Sequence, residues 1–273
     1  PHTLFISLHQ DGRTLYPGTG FPQECGGPGA LGRTINIPLP PETADAGYLY
    51  AVTHAVLPIL EEFKPDIIIN SAGQDNHFSD PLANMKLSAQ GYAALNAALN
   101  PHIAVLEGGY SIRGALPYVN LGICLALAGL SAEDIREPSW TPEAERQNPK
   151  TAGYIARLCD AIVELYRHPP AQPEEGREDQ GWWVRDKHIF YDTDMLREGQ
   201  TEAWRLCPDC SGLGRMETAS ERVARSLCLL IPRHACPRCR EEGHAAARKA
   251  KASGRYAHVL LLDGDNAAEP ENA

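Results

Sequence analysis

Short apolar runs alternate with helix-length apolar periodicities through the first 130 residues, and no other feature restricts the fold as much. Leu4–Leu8 and Arg33–Leu39 read as short strands on either side of a long Gly/Pro-rich loop. A loop that long inside a compact domain is more often functional than idle. Tyr48–Phe63 has helical apolar spacing, with Pro58 predicting a kink or break. Asp66–Ser71 contains Ile67, Ile68 and Ile69 without alternation, which predicts a strand buried on both faces. Ser88–Leu99 reads as a helix with Ser88 at its N-cap, Ile103–Leu106 as a strand and Ala115–Leu130 as an apolar helix. Strand and helix in turn at this pitch predict an α/β fold: a parallel sheet with helices on both faces.

After Leu130 the character changes. A polar connector leads to one more amphipathic helix, Thr151–Arg167, and then to the Pro/Glu-rich stretch "HPPAQPEEGREDQG". The composition places a main domain at residues 1–170, a linker at 171–180 and a small module at 181–273 with a flexible end. No repeat of solenoid period is visible. The balance of 35 Asp+Glu against 25 Lys+Arg, a net charge of −10, argues against nucleic-acid backbone binding by the main domain. No apolar run approaches the roughly 20 residues of a spanning helix, and no signal peptide is visible. Four of the eight cysteines form two CxxC pairs and the rest are scattered, unlike a secreted disulfide framework, so a reducing, cytoplasmic setting is expected. The chain opens at Pro1 and runs directly into a strand, which leads us to expect that further sequence precedes it.

Two strand-end loops carry chemistry. "NSAGQDNHFSDPL" (70–82) puts two aspartates and a histidine after the isoleucine run, and "EGGYS" (107–111) follows the next strand. Asp, Asn, Ser, Gly and Pro close turns in any protein, so the first cluster has an ordinary explanation as well as a metal-binding one. Successive parallel strands deliver their ends to one rim, which lets Asp75 and Tyr110 share a pocket. Asp75 is a hard oxygen ligand for a divalent cation, and the Tyr110 hydroxyl is a donor suited to an oxyanion. Tyr110 is equally accounted for as an aromatic packing on the strand end. His77 reads as a solvated loop histidine.

Three ordered motifs, "SLHQDGRTLYPGTG", "NSAGQDNHFSDPL" and "LEGGYS", resemble the zinc-dependent histone deacetylase superfamily over roughly residues 1–130. That group takes in acetylpolyamine amidohydrolases and acetoin-utilisation proteins, and the pattern here is of the bacterial type. The resemblance implies the C-terminal part of an arginase/deacetylase-like parallel sheet. It implies Asp75 as a carboxylate ligand of catalytic zinc and Tyr110 as the tyrosine that polarises the scissile carbonyl. It implies Tyr16, Leu82, Gly108 and Gly109 as the wall of a channel for an acetyl-lysine or acetylpolyamine-like chain. The resemblance implies Ser7 and Leu8 as positions that hold a monovalent cation, with potassium the candidate. His9 matches a histidine that is not a ligand. The family's Asp-x-His ligands and His-His base fall upstream of residue 1, so the resemblance leaves this chain one zinc ligand, the tyrosine and no general base. The expectation is a zinc-dependent deacetylase, inactive as this chain alone. The alternative from another class is a non-catalytic interaction module. The expected partner is an acylated amine; no membrane is expected.

Cys207-Pro-Asp-Cys210 and Cys236-Pro-Arg-Cys239 are two knuckles able to complete a closed four-thiolate zinc site, which predicts a zinc-ribbon-like tail. Redox-active cysteines are the competing explanation. Cys228 and His234 are spare candidates, read as core or surface. The basic stretch from Arg233 to Arg255 leaves nucleic-acid binding open for the tail, although a solvated charged helix explains it as well.

Overall fold

The computed structural model describes residues 2–27, 29–141, 146–171, 176–191, 195–222 and 224–266. The chain divides into two compact units, one holding Pro1–Gly26 and Ala30–Ala171, the other Gly27–Gly29 and Gln172–Ala273.

In the first unit, β1 (Phe5–Gln10) runs parallel to β2 (Thr34–Leu39), and β3 (Ile69–Ala72) runs parallel to β4 (Ile103–Leu106). These are two separate two-stranded ladders, not the one parallel sheet expected. The predicted helix over 48–63 is three pieces: α1 (Asp45–Ala51), a π-helical turn (Val52–Val56) and α2 (Leu57–Phe63). Pro58 has no N–H to donate and its ring crowds the carbonyl four residues back. The helix answers by widening: Leu57 N–H reaches Val52 O, five residues back. Helix α3 (Ala89–Leu99) starts where Ser88 accepts a bond from the Gly91 amide at 3.0 Å. Helix α4 (Leu116–Leu127) packs on α3, and α5 (Pro149–Arg167), capped by Asn148, packs on β2 and α1. Ile37, Leu39, Tyr48, Ile59, Ile155 and Ile162 are fully enclosed between these elements.

The strand over 66–71 is not buried as its sequence suggests. Ile67 and Ile69 are 61% and 60% exposed, and Ile103 and Val105 beside them are exposed too. Asn70 turns inward, where its amide donates to Asn96 on α3 at 2.8 Å. The other side of the ladder is therefore apolar yet uncovered among the described residues. An unbroken isoleucine run codes for a strand covered on both faces, and here only one face is covered.

The second unit departs further from expectation. It is a six-stranded mixed sheet, not a bare metal ribbon: β5 (Arg177–Asp179), β6 (Trp182–Tyr191), β7 (Leu196–Arg205), β8 (Gly214–Ser220), β9 (Ser226–Ile231) and β10 (His258–Asp263) in spatial order β10-β9-β8-β7-β6-β5. Strands β5 to β9 pair antiparallel. Helix α6 (Pro237–Ser253) then carries the chain across, so that β10 lies parallel to β9. Leu227 and Leu229 from β9 meet Ala247 and Ala250 from α6 in a small core. Part of the expected linker is thus strand β5, while 172–175 and the expected flexible end from 267 lie outside the described residues. No described helix is long and apolar enough to cross a membrane.

Candidate active site and four-cysteine centre

The two loops that follow β3 and β4 are held together by main-chain and carboxylate bonds. The Gln74 amide donates to Gly108 O at 2.6 Å. Asp80 is buried, and its Oδ2 accepts the Tyr110 amide at 2.9 Å while its Oδ1 accepts the Leu82 amide at 2.9 Å. One carboxylate therefore fixes where Tyr110 leaves the chain. A Cβ added to Gly108 would lie 3.1 Å from Asp75 Oδ2 and 3.5 Å from the Tyr110 hydroxyl, so these two groups converge across Gly108. Gly109 has φ +148°, and a Cβ there would meet Gln74 Cβ at 2.8 Å. Gly109 is required by its backbone angle and this close approach, while a side chain at Gly108 would press on the Asp75 carboxylate. Burial raises the Asp75 carboxyl above its ordinary range, and the nearby Asp80 charge adds to that, against the lowering effect of Asp75's own amide. Such a carboxylate is stabilised by a cation.

Behind the loop lies a pair the sequence reading misjudged. His77 is not solvated: it is fully buried, 2.6 Å from Glu137, whose side chain is 2% exposed. The Ser79 amide donates to His77 Nδ1 at 3.1 Å, which leaves Nε2 to carry the proton donated to Glu137. Glu137 Oε1 also accepts the Ala89 amide at 2.8 Å, at the start of α3. Ser79 Oγ continues the chain to Ser111 Oγ at 2.8 Å, the residue after Tyr110. Glu137 sits in a polar connector with no sequence signal of partnership. Asp80 had one, five residues after Asp75 in the same loop.

The remaining site residues are placed less closely. Tyr16 and Gly108 line one cleft with Asp75, and Tyr16 is half exposed. Leu82 is exposed on the same loop and does not line that cleft. Ser7 Oγ bonds His9 Nδ1 at 2.8 Å, and His9 Nε2 donates to Gly20 O at 2.9 Å, closing the long Gly/Pro-rich loop onto β1. Leu8 faces the cleft from β1. Among the described residues, Asp75 is not part of any cluster of three or more potential metal ligands, and one carboxylate does not suffice to hold zinc.

The second unit holds such a cluster. The sulfurs of Cys207, Cys210, Cys236 and Cys239 all lie within 4.8 Å of one another, with Cys207 and Cys236 at 3.8 Å. A tetrahedral zinc with sulfurs at ~2.3 Å sets sulfur–sulfur edges of about 3.8 Å, so the four thiols fit that ion. The first pair sits in the β7–β8 turn, and the second opens α6 with Pro237 in its first turn. Burial works against the Cys210 thiolate, but bonds from the Cys236 and Gly212 amides outweigh it and bring the thiol to about 7. Cys239, buried among the other three, is pushed up by burial and by its neighbours. Cys228 stands on β9 outside this group, and the His234 amide bonds Asp265.

Comparison with known proteins agrees with the motif reading. The histone deacetylase domain matches residues 1–120. A probable deacetylase of Archaeoglobus fulgidus is 51% identical over 150 residues, covering 51% of this chain and 41% of the relative. A histone deacetylase-like amidohydrolase of Pseudomonas aeruginosa is 35% identical over 181 residues, covering 62% and 47%. The solved HD domain of HDA15 shares 29% identity over 61% of this chain and 44% of its own, with a TM-score of 0.47. The chain spans less than half the length of both curated relatives. By the domain match, the two curated relatives and the three motifs, residues 1–120 belong to the histone deacetylase superfamily, and the chain carries a four-cysteine cluster near its other end.

Proposed function

We propose that the first unit carries part of the active site of a zinc-dependent deacetylase, acting on an acetyl-lysine or acetylpolyamine-like amide. The single observation behind this is the convergence of Asp75 and Tyr110 across Gly108. In the proposal Asp75 is one ligand of the catalytic zinc, which when bound supplies Lewis acidity at the acyl carbonyl. The other ligands and the general base are not provided by the described residues near Asp75, so no step is assigned to the chain beyond what its own groups do. Tyr110 donates its phenolic proton in a hydrogen bond to the carbonyl oxygen as charge develops there. Asp80 fixes the Tyr110 amide, and Gly108 leaves room for the acyl group between carboxylate and phenol. Tyr16 and Gly109 flank the acyl chain, with Leu82 at the outer rim, and Ser7 and Leu8 are assigned the monovalent-cation position. The four cysteines hold a structural zinc in a separate C-terminal domain, the boundary falling in 171–180.

The experiment is hydrolysis of a fluorogenic acetyl-lysine peptide by the natural gene product with zinc. Tyr110→Phe is expected to lower kcat by roughly 10²–10³ with zinc content unchanged, the size of one lost oxyanion donor. Asp75→Ala is expected to lose both turnover and the catalytic zinc. Turnover indifferent to both substitutions would overturn the assignment.

A further inference from the structure

The sheet of the second unit ends in two unlike edges. One edge strand, β5, has three residues, Arg177, Glu178 and Asp179, all charged and all exposed. Short length and charge are how natural sheets keep a free edge from pairing. The other edge strand, β10, has six residues. Between His258 and Asp263 it reads Val259-Leu260-Leu261-Leu262, without a charge, a proline or a glycine. Among the described residues nothing pairs with its outer side.

The direction of its main-chain groups follows from the ladder beside it. The Gly264 amide donates to Ile231 O at 2.8 Å, so by the alternation of a parallel ladder Leu260 and Leu262 turn their N–H and C=O groups to β9. Val259 and Leu261 turn theirs outward, to the free edge. The side chains alternate as well. Those of Val259 and Leu261 pack with Leu227, Leu229, Ala247 and Ala250 beneath α6. Leu260 and Leu262 point to the face away from α6 and are 48% and 45% exposed. The register sets Leu260 beside Cys228, and Cys228 beside Met216, in an apolar row that stops at the edge.

We propose that β10 pairs with β10 of a second copy of this chain, antiparallel about a two-fold axis, so that two six-stranded sheets become one. Identical edges closed by a two-fold axis run antiparallel. With Leu260 opposite the partner's Leu260, Val259 exchanges both main-chain bonds with the partner's Leu261, and Leu261 repeats the exchange with the partner's Val259. The apolar row then runs unbroken from Met216 through the two leucines to the partner's Met216. Charge favours the same direction. Arg225 and Arg255, both held by Glu217, stand where β9 and β10 begin, while Asp263 and Asp265, both held by Arg240, stand where β10 ends. Antiparallel pairing turns each basic end toward the partner's acidic end, and parallel pairing would set like ends together. A strand of another protein would meet the same free groups, but a second copy supplies the matching leucines and end charges by symmetry. The pairing does not depend on the chemistry proposed for the first unit.

Sedimentation equilibrium and residue-resolved amide hydrogen exchange on the 273-residue chain with zinc test the pairing. The parent is expected at twice the chain mass, with slow exchange at Val259 and Leu261. Leu260→Lys puts a charge where the two leucines meet, at a half-exposed position outside the small core. It is expected to halve the mass and to speed exchange at Val259 and Leu261 at least about tenfold, while the Leu229 and Leu262 amides, bonded between β9 and β10, stay protected. In a Cys228→Ser background, Leu260→Cys is expected to give a disulfide-linked pair of chains on mild oxidation. Leu262→Cys is not, because position 260 sits opposite itself and position 262 does not. A mass unchanged by Leu260→Lys, or equal cross-linking at the two positions, would overturn the pairing. So would a parent of single-chain mass, whether its Val259 and Leu261 amides exchange fast, as an open edge, or slowly, as an edge the chain covers itself.

Discussion

Asp75 and Tyr110 face each other across Gly108, where a methyl group would stand 3.1 Å from the carboxylate and 3.5 Å from the phenol. The space that glycine leaves is the space a reacting acyl group occupies in the proposed reaction. Gly108→Ala is therefore expected to lower kcat/KM for an acetyl-lysine peptide roughly 10²-fold, the scale of an ångström-sized misplacement. The melting temperature of the same variant should stay close to that of the parent, because neither neighbour belongs to the buried core. A large stability loss with proportionate activity loss would make Gly108 a folding residue only.

The buried pair of His77 and Glu137 makes a prediction about folding. His77→Ala leaves the enclosed Glu137 carboxylate with the Ala89 amide as the one partner of its side chain among the described residues, and losing a hydrogen bond to a buried charged group costs roughly 1.5–3 kcal/mol. Denaturant unfolding followed in the first unit measures it. If the loss is below about 1 kcal/mol, the pair is not the tie between the Asp75 loop and α3 that the geometry indicates.

How far sequence alone reaches is clear from particular elements. The strands β1, β2 and β4 and the Ser88 cap stand where local pattern puts them, because their signals are local. Pro58 announced a break, but the π-turn lies before it, since the missing bond is the one that points back up the helix. The isoleucines of β3 signalled burial that the described chain does not complete. In the second unit β6 and β7 were missed because strands such as "WWVRDKHIFY" and "LREGQTEAWR" are stabilised by cross-strand pairs, Arg185 and Lys187 on Glu202 among them, and not by an apolar run. The meeting of Asp75 with Tyr110 and the grouping of the four cysteines were legible from motif and spacing. The partnership of His77 with Glu137, sixty positions away, was not, because nothing local marks a long-range buried pair.

Asp263 at the end of β10 sets an acid limit for the second unit. Burial alone would raise its carboxyl, but Arg240, Asn266, the Asp265 amide and His244 outweigh this and hold it far below the ordinary range. A depressed carboxyl contributes stability that is present above its unfolded value, about 3.9, and is lost as pH falls below that toward the folded value. Asp263→Asn should thus lower the thermal transition of the second unit at pH 7, and the gap from the parent should narrow as pH falls from 5 to 2. A gap that is constant across that range would assign the effect to packing and not to charge.

The four-cysteine centre joins the turn between β7 and β8 to the first turn of α6, beside the buried Leu213 and Ile231, which approach Gly243 of that helix. The small core of Leu227, Leu229, Ala247 and Ala250 lies further along the helix, so metal and core divide the work of holding α6 to the sheet. We expect one zinc per chain, and structural zinc in small sites contributes on the order of 10 kcal/mol. A strong chelator should therefore lower the transition of the second unit by many degrees while leaving that of the first unit in place. Cys236→Ser and Cys239→Ser should each reproduce the loss, and Cys228→Ser, outside the cluster, should leave the zinc content at one. The rival explanation is a dithiol pair, for which the 3.8 Å approach of Cys207 and Cys236 is the natural candidate. A metal-free protein with undiminished stability and a Cys207–Cys236 link in a non-reducing peptide map would decide for redox chemistry. Zinc at one equivalent with four protected thiols decides for the structural centre.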